Sequence, residues 1–354
     1  MKKIFTYLFL ATILVVSCKK DKNDSDNYNA ISKITFGSCS HQFVQFKEIF
    51  TTMLADSPDL HIAGGDNIYG DFFALAPGTK DYIESSYEMM WNDARVSKFY
   101  STIPTIATWD DHDFGENDGV KNNPVKAAAK NLFFQWWQIP IESPRRHNPD
   151  GGIYGTYYYG DDAHKVQVIM LDLRWNHDPY KAAGPAAALG GYDTIMTPGK
   201  GMMGETQWTW LKSELLKPAK IRIIMSSLQF SASYNGGEAW SVFPLEQQRM
   251  YDLIQETRAE GIFFLSGDVH FADFNKQERP GVYPLWDFTS SGLTHYEEEP
   301  YPSDFRVGEI FNRYNYGCID IDWDVSPVTI TVSIKDYKGE VRKQQVLTLD
   351  DLKF

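Results

Sequence analysis

Three features of this 354-residue chain predict an α/β fold. Short runs rich in β-branched residues recur along it, and continuous apolar runs read as strands buried on both faces. Helical periodicity fills several of the intervals, and strand–helix alternation argues for helices layered on a sheet. Polar residues gather just after the apolar runs, at the strand ends where α/β sheets bind ligands.

The strands come first in each unit. ISKITF (31–36) precedes GSCSHQ, DLHIA (59–63) precedes GGDNIYGD, and IPTIAT (103–108) precedes WDDHD. HKVQVIML (164–171) precedes DLRWNHD, AKIRIIMS (219–226) precedes SLQF, and GIFFLS (261–266) precedes GDVHF. Helical spacing marks VKAAAKNLFFQWWQI (125–139), GETQWTWLKSELLK (204–217) and PLEQQRMYDLIQETRAEG (244–261). The last of these should stop at its terminal glycine, the residue expected just past a helix. TITVSIKDY and VRKQQVLTL, joined by a Lys-Gly turn, suggest an antiparallel edge or a second sheet. No linker interrupts residues 31–354, which read as one domain. No repeat of 20–50 residues is visible, so solenoids and propellers are set aside.

The first residues have a different character. MKK is a basic n-region and IFTYLFLATILVV an apolar stretch too short for a comfortable membrane span. It ends VVSC, similar to a bacterial lipobox, so residues 1–17 read as a lipoprotein signal peptide and Cys18 as the lipidated residue. The polar KKDKNDSDN that follows suits a flexible tether over residues 18–30. The expectation is a cell-envelope lipoprotein, a monomer that meets the membrane only through its anchor. A net charge of −13 without a basic stripe argues against a nucleic-acid partner. Cys39 and Cys318 could pair in an oxidising compartment, or serve respectively as a ligand and a small buried hydrophobe.

The strand-end residues include Cys39, Asp66, Tyr69, Asp110, Asp111, His112, Asn117, Asp268 and His270. Converged carboxylates repel one another, and bound cations resolve the conflict. A thiolate with a phenolate favours an electron-poor ion such as Fe3+, whereas all-oxygen corners favour Ca2+, Mg2+ or Mn2+.

FGSCSHQ, PDLHIAGGDNIYGD, TIATWDDHDFGEND, GGIYGTYYYG, VIMLDLRW, QWTWLKSEL, GDVHF and SSGLTH occur in this order, from about Ile31 to His295. Together they resemble the PhoD-like alkaline phosphatases (alkaline phosphatase D family) of the calcineurin-like metallophosphatase superfamily. The resemblance implies a four-layer α/β (α+β) sandwich, two mixed β-sheets flanked by helices. It implies Fe3+ and Ca2+ as cofactors, with Mn2+, Zn2+ or Mg2+ as alternatives in one or more sites. By motif position Cys39 and Tyr69 would bind iron and Asp66 would bridge iron and calcium. Asn117, Asp268 and His270 would complete the shells. His112 would face the phosphate, Asp111 taking the place of the asparagine that precedes it in the superfamily. The activity implied is hydrolysis of a phosphate ester by a metal-activated hydroxide, with His112 holding the phosphate or protonating the leaving group.

Two departures matter. The longer members carry an N-terminal β-sandwich domain, whereas here the pattern begins almost directly after the tether. They also place a phosphate-gripping arginine after the bridging aspartate, where this chain has Asn67, as in the shorter members. The grip would then fall to Asn67 itself, to Arg174, which could equally pair with Asp172, or to Arg145 and Arg146, which otherwise read as a solvated pair. Asp110 or Asp113 could orient His112, with Asp110 also able to act as ligand or loop cap. Glu116 and Asp118 are expected to face away, and Trp109 and Phe114 to pack. The acidic HYEEEPYPSDF could form a rim, and the Gly/Ala-rich 181–203 loop could cover the site or pad the surface. The alternatives to a monoesterase are a phosphodiesterase or phospholipase acting on lipid headgroups, and a non-catalytic metal-binding surface lipoprotein.

Overall fold

The computed structural model describes residues 30–71, 78–182, 191–233, 237–297 and 302–354. The signal peptide, Cys18 and nearly all of the tether lie outside those residues, as do positions 183–190 of the Gly/Ala-rich loop and 298–301 of the acidic rim. Among the described residues no helix is long and apolar enough to cross a membrane.

The first sheet contains β1 (Lys33–Gly37), β2 (Leu60–Gly64) and β3 (Thr105–Thr108). The second begins with β4 (Gly155–Tyr159), β5 (Val166–Met170), β6 (Ile221–Met225) and β7 (Ile262–Ser266), then adds the hairpin β8 (Ala272–Arg279) and β9 (Val282–Ser290). β10 (Asn315–Asp322), β11 (Thr329–Asp336) and β12 (Val341–Thr348) return to the first sheet, whose order is β12-β11-β10-β1-β2-β3. The second runs β4-β5-β6-β7-β9-β8. Each sheet is mixed. β1, β2 and β3 pair in parallel while β10 to β12 are antiparallel, and β5, β6, β7 and β9 are parallel between antiparallel edges β4 and β8.

One apolar core lies between the sheets and continues beneath helices α6 (Glu205–Leu215) and α7 (Pro244–Thr257). It joins Ile34, Leu60 and Ile62 of the first sheet to Ile169, Ile223 and Leu265 of the second, and to Leu211, Met250 and Ile254 of the helices. A second core packs α1 (Glu48–Ala55), α2 (Lys80–Trp91), α3 (Ala94–Thr102) and α5 (Lys126–Trp136) together through Ile49, Phe50, Ile83, Val96, Phe99 and Leu132. These layers are those of the expected four-layer sandwich. The short α4 (Asp111–Phe114) opens directly from the end of β3.

Helix α7 departs from expectation at its end. Arg258, not Gly261, takes the left-handed capping conformation (φ 52°), and its guanidinium lies 3.8 Å over the Phe354 ring. Gly261 instead turns the chain into β7 with φ 74°.

Candidate metal centre

Six parallel strands of the two sheets deliver their C-terminal tips to one edge. Cys39 follows β1, Asp66, Tyr69 and Asp71 follow β2, and Asp110 to His112 follow β3. Arg174 follows β5, Ser227 follows β6, and Asp268 and His270 follow β7. Cys39, Asp66, Asp118, Asp268 and His270 all hold positive φ, from 49° to 72°. Non-glycine residues persist there only where surroundings over-determine them, and such strain gathers at functional sites.

The side chains converge. The buried Cys39 Sγ lies 3.4 Å from Asp66 Oδ2 and 3.0 Å from Ser291 Oγ. Tyr69 Oη is 3.0 Å from His270 Nε2 and 3.2 Å from His295 Nδ1. Ligand atoms of Cys39, Asp66 and His270 lie within 4.8 Å of one another, and so do those of Asp66, Asp110, Asp111 and Asp268. Asp66 belongs to both groups, the position a bridging carboxylate needs. Cys39 and Cys318 are both free thiols.

This donor set fits metal ions. Asp66 Oδ1 and Asp110 Oδ2 are buried without a hydrogen-bond partner, a costly state for an oxygen that no cation meets. Burial, reinforced by Asp111 and Cys39, pushes Asp66 well above the usual carboxylate range. Burial likewise raises Asp268, and lifts Asp110 to about 6 against the pull of Arg174. Asp111 differs, because His112 and Arg174 together outweigh its burial and bring it to about 2. A cation reverses the logic for the raised acids by favouring their charged forms. Thiol, phenol, imidazole and carboxylate groups gather around one point, and a carboxylate group lies beside it.

A family model for PhoD-like phosphatases matches residues 34–306. The chain belongs to the PhoD-like phosphatase family. It is similar to alkaline phosphatase D of Bacillus subtilis (strain 168), with 24% identity over 199 residues, 51% of this chain and 33% of that relative. The match therefore spans about a third of the relative's length. A solved structure of PhoD superposes with TM-score 0.67 at 16% identity, covering 90% of this chain and 69% of that one. GAP50, described as the anchor in the inner membrane complex of Plasmodium, superposes with TM-score 0.54 at 11% identity, covering 92% and 90%. At these identities the two likenesses show the fold.

Within this PhoD-like centre several expectations need correction. Arg174 is not available to substrate. Its side chain is 0% exposed, with Nε 2.5 Å from Asp110 Oδ1 and the two terminal nitrogens 2.7 and 2.6 Å from the Glu238 carboxylate. Nor does it pair with Asp172, which accepts the backbone N–H of Arg174 and Trp175 and the indole N–H of Trp109. Arg145 is buried and donates to Ile153 O, Ala107 O and Tyr157 Oη, while Arg146 donates to Ile139 O and Phe134 O. They brace the chain rather than face solvent or substrate. The amide of Asn67 is committed to Thr108 O and to Asp113, so that side chain turns inward too.

Asn117 is exposed. Its neighbour Asp118, expected to face away, instead lies within 4.8 Å of Asp111 and Glu238. The Asp118 N–H donates to Asp111 Oδ2 at 2.7 Å, which turns its side chain inward, and the Tyr192 hydroxyl donates to its carboxylate. His112 is held by neither Asp110 nor Asp113. Its Nδ1 is 2.7 Å from Asp71 Oδ1, and its ring packs on Tyr69 with centroids 4.1 Å apart. Burial alone lowers His112, but Asp111 and Asp71 together carry it up to about 9. Asp113 accepts from the backbone of Asp110 and Asn67 and locks the loop. Trp109 and Phe114 are fully buried and pack edge to face.

Sequence reasoning missed Asp71, Glu238 and His41. Asp71 closes GGDNIYGD, and its distance of five residues from Asp66 gives no sign that it returns to His112. His41, from FGSCSHQ, stacks on Tyr69 with centroids 4.4 Å apart, so imidazoles flank that phenol on two sides. Glu238 had no sequence signal beyond being a glutamate in a loop.

Proposed function

We propose that this chain is a metal-dependent phosphoric ester hydrolase of the alkaline phosphatase D type, acting first on phosphate monoesters. One observation carries the reading: Cys39, Asp66, Tyr69 and His270 converge with Asp110, Asp111 and Asp268 around two buried carboxylate oxygens that no protein donor meets. Cys39, Asp66, Tyr69 and His270 would hold Fe3+. Asp66, Asp111 and Asp268 would hold Ca2+, with Asp118 and Glu238 beside them. Ions bound there supply a water acidic enough to attack phosphorus near neutral pH and offset the charge of the phosphate.

The chain's own groups do the rest. Asp71 occupies His112 Nδ1, which leaves Nε2 for a phosphate oxygen or the leaving alkoxide. As an imidazolium, His112 would donate a proton at that atom. Arg174 and Ser227 fix Asp110 from behind, so the acidic loop keeps its shape as ions come and go. The test is hydrolysis of p-nitrophenyl phosphate by the wild-type chain and by Asp66→Ala. Wild-type turnover that survives the substitution overturns the reading, as does a chain with no turnover at all.

A second substrate class, diesters, is favoured by the inward turn of Arg174, Arg145 and Arg146. With these guanidinium groups committed elsewhere, a monoanionic diester asks less of the site than a dianionic monoester. The ratio of rates on bis-p-nitrophenyl phosphate and p-nitrophenyl phosphate separates the two, and a lipid headgroup substrate would extend the diester case. An envelope location through lipid on Cys18 is part of the proposal. Loss of palmitate labelling in Cys18→Ala tests it.

A further inference from the structure

His270 and His295 stand side by side at the mouth of the centre, ring centroids 4.0 Å apart. Each offers one nitrogen inward to Tyr69 Oη, at 3.0 and 3.2 Å. The other nitrogens point the opposite way, toward a single oxygen of Glu297. His270 Nδ1 is 3.6 Å and His295 Nε2 3.8 Å from Glu297 Oε1. Those distances are too long for hydrogen bonds. They are close to the separation of about 3.4 Å between ligands that each sit ~2.1 Å from a tetrahedral ion. An oxygen nearly equidistant from two imidazole nitrogens, yet bonded to neither, is placed for a cation between the three. The triad is pre-set, since the Glu297 N–H donates to His270 O at 2.9 Å. It is also open to solvent, with the Glu297 side chain 60% exposed and that of His295 31%.

We propose that His270 Nδ1, His295 Nε2 and Glu297 form a second metal site at the rim, selective for zinc-type divalent cations. Two imidazoles and one carboxylate with an open fourth position are a donor set Zn2+ accepts readily. The partners on the inner side fix the tautomers: with the outer nitrogens on the cation, the inner nitrogens keep their protons and donate to Tyr69 Oη. His270 then cannot serve the inner centre. Rim occupancy therefore competes with the inner ion for one imidazole and shuts the enzyme down. This competition rests on the phosphatase reading above; the rim site itself does not.

The experiment uses the metal-loaded protein as purified, with added Zn2+ as the probe. Equilibrium dialysis should show one further equivalent of Zn2+ per chain. Glu297→Gln and His295→Gln should each weaken that binding at least tenfold. Zinc should inhibit p-nitrophenyl phosphate hydrolysis with a midpoint that moves by the same factor in each variant. Equal zinc affinity in wild type and both variants overturns the site. Zinc bound through Glu297 without inhibition overturns the competition for His270. A chain with no phosphatase activity that still loses zinc in the two variants supports the rim site and sinks the phosphatase reading, so the two failures are distinguishable.

Discussion

Arg174 shows how burial decides what a charged residue can do. As a free guanidinium at a strand end it would be a natural phosphate grip. With its side chain 0% exposed and held by Asp110 and Glu238, it is the counter-charge beneath the acidic loop. Removing one partner of such a buried set leaves the others uncompensated, at a cost of about 3–5 kcal/mol. Arg174→Met should therefore lower the urea midpoint by a corresponding amount. A raised KM with unchanged stability would instead return Arg174 to the substrate. Asp71 makes the opposite case, acting on chemistry through another residue. Asp71→Asn removes the charge that orients and protonates His112, so kcat should fall by about 10–100-fold, with metal content unchanged by elemental analysis. Neither role could be read from spacing. A sequence shows which residues follow a strand, but not which of them turns back under the loop.

At the scale of elements, legibility followed burial pattern. β2, β5, β6 and β7 are buried at every residue and β1 and β3 at nearly every one, and each appears in the sequence as a short run dominated by apolar residues, interrupted in β2, β5 and β6 by His61, Gln167 and Arg222. β8 was invisible because its sequence, ADFNKQER, is polar although largely buried. Asp273 meets Arg306 and Asn275 meets Ser303, partners contributed by a distant segment laid along its edge. Helices α1 to α3 were missed although each carries a buried face at helical spacing: Ile49, Phe50 and Met53 in α1, Ile83, Tyr87 and Met90 in α2, Val96 and Phe99 in α3. The strand-end turns yield a sharper test. Gly65 holds φ 109°, and a Cβ there would stand 2.7 Å from Asp110 Cβ. Gly65→Ala combines positive-φ strain of about 1–2 kcal/mol with a clash between the tips of β2 and β3, so both stability and activity should drop. Gly199→Ala is the control, with φ 78° and nothing within 4 Å of the new methyl group. It should lose stability through strain alone and keep its activity. Equal losses of activity in the two variants would refute the idea that the β2–β3 contact shapes the centre.

For the molecule as a whole, two sheets bring a set of acids into one dry place, and stability should record what neutralises them. Without metal, burial raises Asp110 to about 6 and Glu238 to about 8, and pushes Asp66 and Asp268 upward as well. Each folded pKa then lies above the unfolded value of about 4. Folding favours the protonated form, so this contribution is complete below about pH 4 and is lost as pH rises through about 6 to 8. The metal-free protein should therefore weaken steadily toward alkaline pH. Bound cations favour the ionised carboxylates and cancel that loss. At metal concentrations ~1,000 times Kd the gain is about 4 kcal/mol, which at a few degrees per kcal/mol raises Tm by on the order of 10 °C. Calorimetry on chelator-stripped and metal-loaded protein should show a gap in Tm that widens from pH 5 to pH 8, because protons compete with the metal at the low end. A gap that stays constant or narrows over that range would mean that the acids at the strand ends are neutralised by the protein itself, and that the centre is not built around cations.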